Sequence, residues 1–166
     1  GWFVLMKNTV THAVTAGRCA LAAVLALLAA PAFAAVSTPL LEATYAGDAH
    51  KVAALLKAGA DPDAANDFGA TPMAEAARTG DASILELLLD AGADPESANV
   101  EGQTALMAVA RTGNIEAARA LLRHGAKVDA REKWGGQTAL IWAAAQNQPE
   151  MVRFLASKGA DVNAHG

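Results

Sequence analysis

The stretch Asp67 to Asn99, DFGATPMAEAARTGDASILELLLDAGADPESAN, decides the fold, because a relative of it stands on either side. Counting from Thr71 reaches Thr104 after 33 residues and Thr138 after 34 more, and Thr38 lies 33 residues before it. The glycines keep the same interval: Gly59, Gly92 and Gly125 are 33 residues apart, and Gly159 follows after 34. A period in this range marks stacked solenoid units, each too small to bury its own apolar face. It makes the chain a binding scaffold before any single side chain is considered.

One unit reads as a pair of helices. Thr71 offers a hydroxyl to an early backbone N–H, and Pro72 brings a helical φ with no N–H to leave unpaired, so a helix starts there. It runs through Met73, Ala74, Ala76 and Ala77 and stops near Gly80, where the chain turns left-handed. Asp81 caps a second helix whose Ile84, Leu85, Leu88 and Leu89 fall on one apolar face, and Gly92 ends it. Two helices joined by two or three residues lie antiparallel, and the alanines of the first allow close approach. Isolated helices below ~12–15 residues are marginal in water, so a neighbouring copy must supply the missing burial.

The order Gly69-Ala70-Thr71-Pro72-Met73, Ala76-Ala77, Gly80, Leu88-Leu89, Gly92-Ala93-Asp94 resembles the ankyrin repeat. The resemblance covers about Ser37 to the C-terminus in four copies, near 37–66, 67–99, 100–132 and 133–166. It implies an all-α solenoid of stacked helix-turn-helix repeats joined by β-hairpin-like loops. One departure is consistent: where the family has His after Thr-Pro-Leu, this chain has Leu41, Ala74, Met107 and Ile141, and Ala105 and Ala139 replace the Pro in copies three and four. The Thr and His hydrogen bonds that usually brace the hairpin are therefore missing.

The 166 residues allow one domain, and 53% apolar with 18% charged residues fits a soluble helical protein. The 5% of aromatics suits thin helix layers. Residues 1–5 read as an upstream extension of unassigned role, with Met6 as the start. From Met6 the chain has Lys7 and Arg18, a charge-free run from Cys19 to Ala30, and Pro31-Ala32-Phe33-Ala34. That is the pattern of a secretory signal peptide over 6–34, with an A-x-A site leaving a mature chain from Ala35. The run falls short of the ~20 residues needed to span a bilayer, so no stable membrane insertion is expected after cleavage. Cys19 leaves with the signal, which excludes a disulfide, a thiol nucleophile and a thiolate metal site. Without Lys7 and Arg18 the 13 Lys and Arg become 11 against 17 Asp and Glu, about −6, a balance that disfavours nucleic acid.

The copies differ at their ends. Lys51 in copy one stands where copy two has Ile84, as suits a terminal unit with a solvated side, while Val52, Leu55 and Leu56 form the expected buried stripe. Copy four carries an extra residue, Gly135 or Gly136, in its hairpin, has Asn147 where the others have a mid-unit Gly, and opens its second helix with Pro149. The absence of a polar cap on its far side leads to one of two expectations, that further repeats follow, which is favoured, or that the terminal face is exposed and sticky.

In the family the resemblance points to, hairpin tips and first helices together form a concave surface where partners bind. By phase the tips here are Asn66, Asp67 and Phe68; Asn99, Val100 and Glu101; and Glu132, Lys133 and Trp134. The helix positions are Glu42 and Tyr45, Glu75 and Arg78, Ala108 and Arg111, and Trp142 and Gln146. Tryptophan and arginine dominate interface energetics, so Trp134, Trp142 and Arg111 are the expected hot part of a surface that also includes Phe68, Glu75, Arg78, Glu101 and Gln146. The opposing reading makes the tryptophans packing residues.

Chemistry has little support. The acidic pairs Asp61 with Asp63 and Asp94 with Glu96, each split by a Pro, read as turn formers, and no EF-hand spacing accompanies them. His50, His124 and His165 have no Ser, Cys or Asp partner at a motif spacing, and there is no G-x-S-x-G, phosphate loop or H-E-x-x-H. No catalytic, metal or cofactor residue is expected. The function that follows is protein binding by a monomeric scaffold in the periplasm of a Gram-negative-type bacterium. The alternative is a periplasmic inhibitor or immunity protein that blocks a toxin or hydrolase through an acidic groove.

Overall fold

The computed structural model describes residues 38–166. The expected extension (1–5) and signal peptide (6–34) lie outside the described residues. Eight helices follow in pairs among the described residues: α1 (Pro39–Tyr45) with α2 (Ala49–Lys57), α3 (Pro72–Thr79) with α4 (Ala82–Asp90), α5 (Ala105–Thr112) with α6 (Ile115–Arg123), and α7 (Ala139–Ala145) with α8 (Pro149–Ser157).

Each first helix starts at the threonine that sets the period. Thr38, Thr71, Thr104 and Thr138 accept through Oγ1 from the N–H groups of Leu41, Ala74, Met107 and Ile141 at 3.1, 3.1, 3.4 and 3.5 Å. The two repeats that keep the Pro have the two shorter bonds. Asp48, Asp81 and Asn114 cap the second helices in the same way, at 2.9, 3.0 and 3.1 Å. The fourth has no side-chain cap, and Pro149 opens it.

Between the helices of a pair the chain turns at Gly80 (φ 71°) and Gly113 (φ 75°), and in repeat four at Asn147 (φ 54°). A methyl group on Gly80 would meet Thr112 Oγ1 at 2.7 Å, and one on Gly113 would collide with Gln148 Oε1. In repeats two and three the mid-unit glycine therefore answers two demands, a left-handed backbone and the close approach of the next repeat.

Packing follows two layers, α1–α3–α5–α7 and α2–α4–α6–α8, each helix against its equivalent in the next unit. Met73, Ile84, Leu85, Leu88, Leu106, Met107, Leu121, Met151 and Leu155 are buried between them, with Ala76, Ala77, Ala110, Ala117 and Ala118 where the helices approach closely. In repeat one only Val52 of the expected stripe is fully buried; Leu55 and Leu56 are half-buried, because α2 has one second-layer neighbour among the described residues. Lys51 is exposed where Ile84 is buried.

The loops are hairpin-like. The Asn66 and Asn99 N–H groups donate to the carbonyls of Ala70 and Gln103 at 3.0 and 3.1 Å, and an antiparallel bridge links Ala98 with Thr104. Inside each loop the asparagine Oδ1 accepts two N–H groups, from Phe68 and Ala70 in one and from Glu101 and Gln103 in the other. The loop that leads into repeat four has Glu132 at this position. Its carboxylate accepts from Trp134, Gly135 and Gln137 at 2.6, 2.6 and 3.0 Å. The longer side chain spans a loop one residue longer. Gly136 (φ 64°) takes the left-handed place of Gly69 and Gly102, which identifies Gly135 as the added residue. Glu132 is thus not a tip contact: it is only 8% exposed and holds the loop from within.

The acidic pairs have a structural role that reaches further than a turn. Asp61 and Asp94 accept from the N–H two residues on, at 3.0 and 2.9 Å, as local turn formers. Their neighbours tie one unit to the next: Asp63 accepts from the Asp94 N–H at 3.1 Å, Glu96 from Lys127 at 2.8 Å and Asp129 from Asp161 at 2.9 Å. The same position in three consecutive repeats makes the same rung.

Candidate functional site

The face carried by the first helices and the loop bases has two open clefts that share Arg78, Ala108 and Arg111. The first reaches from Asn99 and Gln103 at a loop base, past Glu75, to Arg111; the second continues from Arg111 and Thr112 to Gln146. Together they form one channel across repeats two to four. Its opening at repeat three follows from the sequence, because Ala108 occupies the position that Glu75 holds in repeat two and Trp142 in repeat four.

Glu75 is buried, and both its oxygens are taken by Arg78: Nε donates to Oε2 at 3.0 Å and Nη2 to Oε1. This hydrogen-bonded, forked pair raises the Arg78 pKa above its already high ordinary value, so the group is cationic at every working pH. The pairing also fixes its direction, one turn along α3 from Glu75. Arg111, one repeat on, is held differently. Its guanidinium carbon lies 5.1 Å from the centre of the Trp142 ring, a cation–π contact, and it forms no ion pair among the described residues. Trp142 is half-buried, and its indole N–H is buried with no acceptor. It therefore packs against the core and faces Arg111 at once. Gln146 is exposed at the end of α7 and lines the second cleft; the residue in phase with Arg111 is Ala145, one position earlier.

The hairpin tips carry exposed apolar side chains. Phe68 is 78% exposed, Val100 82% and Trp134 84%, one on each of three consecutive loops. Glu101 is exposed on the middle one. The tip aromatics do not fold over a neighbouring loop. Lys133 does so instead, its N–H on the Glu101 carbonyl at 3.1 Å and its Nζ on the Val100 carbonyl at 3.3 Å. N–H groups donated by Gln137 and Trp134, and less strongly by Gly135 and Gly136, hold the Glu132 carboxyl below the usual carboxylate range against the opposing push of burial.

The histidines stand apart from this face. His124 Nε2 lies 3.5 Å from Asp90 Oδ1 in the second-helix layer, and His165 Nδ1 lies 3.3 Å from the Asn163 carbonyl. No group of three or more His, Cys, Asp and Glu gathers at metal-binding distance among the described residues. What the arrangement offers is donors and apolar tips on an open surface.

A family model described as ankyrin repeats (3 copies) matches residues 10–99 and again residues 76–165. No curated protein matches the chain. Four phased helix pairs, hairpin-like loops and a family match over most of its length show that the chain belongs to the ankyrin repeats, which generally mediate protein–protein interaction.

Proposed function

We propose that this chain is a monomeric protein-binding scaffold, exported behind a signal peptide over residues 6–34 and working in the periplasm without chemistry of its own. Its partner lies along the first-helix face and the hairpin tips of repeats two to four. One observation carries the reading: three consecutive tips each present a large apolar side chain that is about four-fifths exposed, beside a channel of fixed polar groups. Single exposed apolar residues are ordinary, but one on each of three consecutive tips, Phe68 and Trp134 in phase and Val100 one position earlier, forms a contact surface. Phe68 and Trp134 serve as anchors at the tips, and Glu75, Arg78, Glu101, Arg111, Trp142 and Gln146 give the surface its polar pattern. The arginines at the centre of the channel favour a scaffold over an acidic-groove inhibitor.

The test is a crosslinking pull-down from periplasm with the chain from Ala35 as bait and a Trp134→Ala, Trp142→Ala double variant as control. A single protein recovered by the bait and lost from a variant that still melts cooperatively supports the reading. Recovery of the same proteins by both overturns it. Export is checked separately, because periplasmic material must begin at Ala35 on N-terminal sequencing.

A further inference from the structure

We infer that the channel between α3, α5 and α7 receives an acidic segment of the protein partner, with a carboxylate of that segment held between Arg78 and Arg111 over the gap left by Ala108. The inference rests on the binding reading above and names the chemistry of its partner.

Three observations lead to it. Two cationic groups stand in equivalent positions on neighbouring helices, and both line both clefts. Both are oriented before any ligand arrives: Arg78 by the two oxygens of buried Glu75, Arg111 by the ring of Trp142 at 5.1 Å. A side chain fixed in advance loses less rotamer entropy on binding, and a guanidinium presents a planar fork that matches a carboxylate. Finally, the two cations are not matched by free carboxylates. Glu75 has spent its oxygens on Arg78, and Arg111 has no ion-pair partner among the described residues.

The remainder of the molecule narrows the occupant to protein. The chain is net negative, −4 over all residues. A polyphosphate backbone would meet that field along its whole length, whereas a short acidic segment needs only the two arginines. Apolar residues next to the carboxylate would meet the tips at Phe68, Val100 and Trp134.

Random peptides displayed on phage are selected on the chain from Ala35, and the best binder is resynthesised with each Asp and Glu changed to Asn and Gln. The expected result is enrichment of Asp or Glu beside apolar residues. The amide peptide should bind about thirtyfold more weakly, since a well-buried anchor is worth ~2 kcal/mol or more. Arg111→Gln should lose a similar factor against the acidic peptide and almost nothing further against the amide peptide, which assigns the loss to one pair. The Trp142 indole resonance should shift with the acidic peptide. Enrichment of neutral or basic peptides, still lost in the Trp134→Ala, Trp142→Ala variant, overturns the acidic class and leaves the scaffold standing. Selection of nothing above the starting library overturns the inference and counts against the scaffold as well. An equal indole shift with inorganic phosphate or a single-stranded oligonucleotide overturns the protein segment in favour of phosphate.

Discussion

Glu132 sits where two earlier copies have asparagine, and the exchange is fitted to a loop that is one residue longer. A carboxylate that accepts three backbone N–H groups is worth most when ionised, and its lowered pKa expresses the same preference. The stability this gives is complete above the unfolded carboxyl value of about 4.3 and is lost as pH falls through the lower folded value. Glu132→Gln replaces one acceptor oxygen by a donor that faces N–H groups. The variant should melt below the parent at pH 7, and the gap should close at the acid end as the parent's carboxylate is protonated. Amide exchange at Trp134, Gly135 and Gln137 should quicken severalfold in the variant and stay unchanged in repeat two. A gap that persists undiminished at the lowest pH at which both fold would refute an electrostatic role. Sequence reading took Glu132 for a tip contact because phase gives position but not direction. Its equivalence with Asn66 and Asn99, two residues common in turns, was the available signal. Glu75 reads in the sequence as an open contact but is buried and paired: a charged residue on a binding face reads as exposed, and only its three-residue spacing to Arg78 hints that the two pair.

At the scale of the element, the helices were legible and the links between repeats were not. Thr71-Pro72, Gly80, Asp81 and Gly92 each mark a boundary by local chemistry, which depends on neighbours in sequence alone, and all four act as that chemistry requires. The rungs from Asp63, Glu96 and Asp129 join residues more than thirty apart, and no local rule reaches that far. An acidic residue in one phase position of three successive copies was the trace they left. Each rung should be worth about 1 kcal/mol, as an exposed hydrogen bond to a charged group. Asp63→Ala, Glu96→Ala and Asp129→Ala should each speed amide exchange at one partner, Asp94, Lys127 and Asp161 respectively, with little effect on the other two. Uniform acceleration at all three amides in any one variant would show that the rungs act through global stability rather than as local ties.

Over the whole molecule, a stack in which each unit touches only its neighbours behaves as a one-dimensional chain of coupled parts. Among the described residues repeats two and three pack on two neighbours, and repeat four packs on one. Leu88 and Leu155 are equally buried in the second helices of repeats two and four, so truncating either removes the same chemistry at an intrinsic cost of about 2–5 kcal/mol. The consequences should differ with position. Leu88→Ala weakens a unit gripped from both sides and should shift one cooperative urea transition. Leu155→Ala weakens a unit that, among the described residues, is held by α5 and α6, so the amides of α7 and α8 should lose protection in a first step while repeats one to three stay folded. That step should matter for binding, because Trp134 and Trp142 both belong to repeat four. Between the two transitions, the Leu155→Ala chain should keep most of its helix signal yet fail to hold a partner that the parent still binds at the same urea concentration. If α7 and α8 instead melt together with the remaining helices, the coupling extends across the whole stack, and loss of binding must track loss of fold.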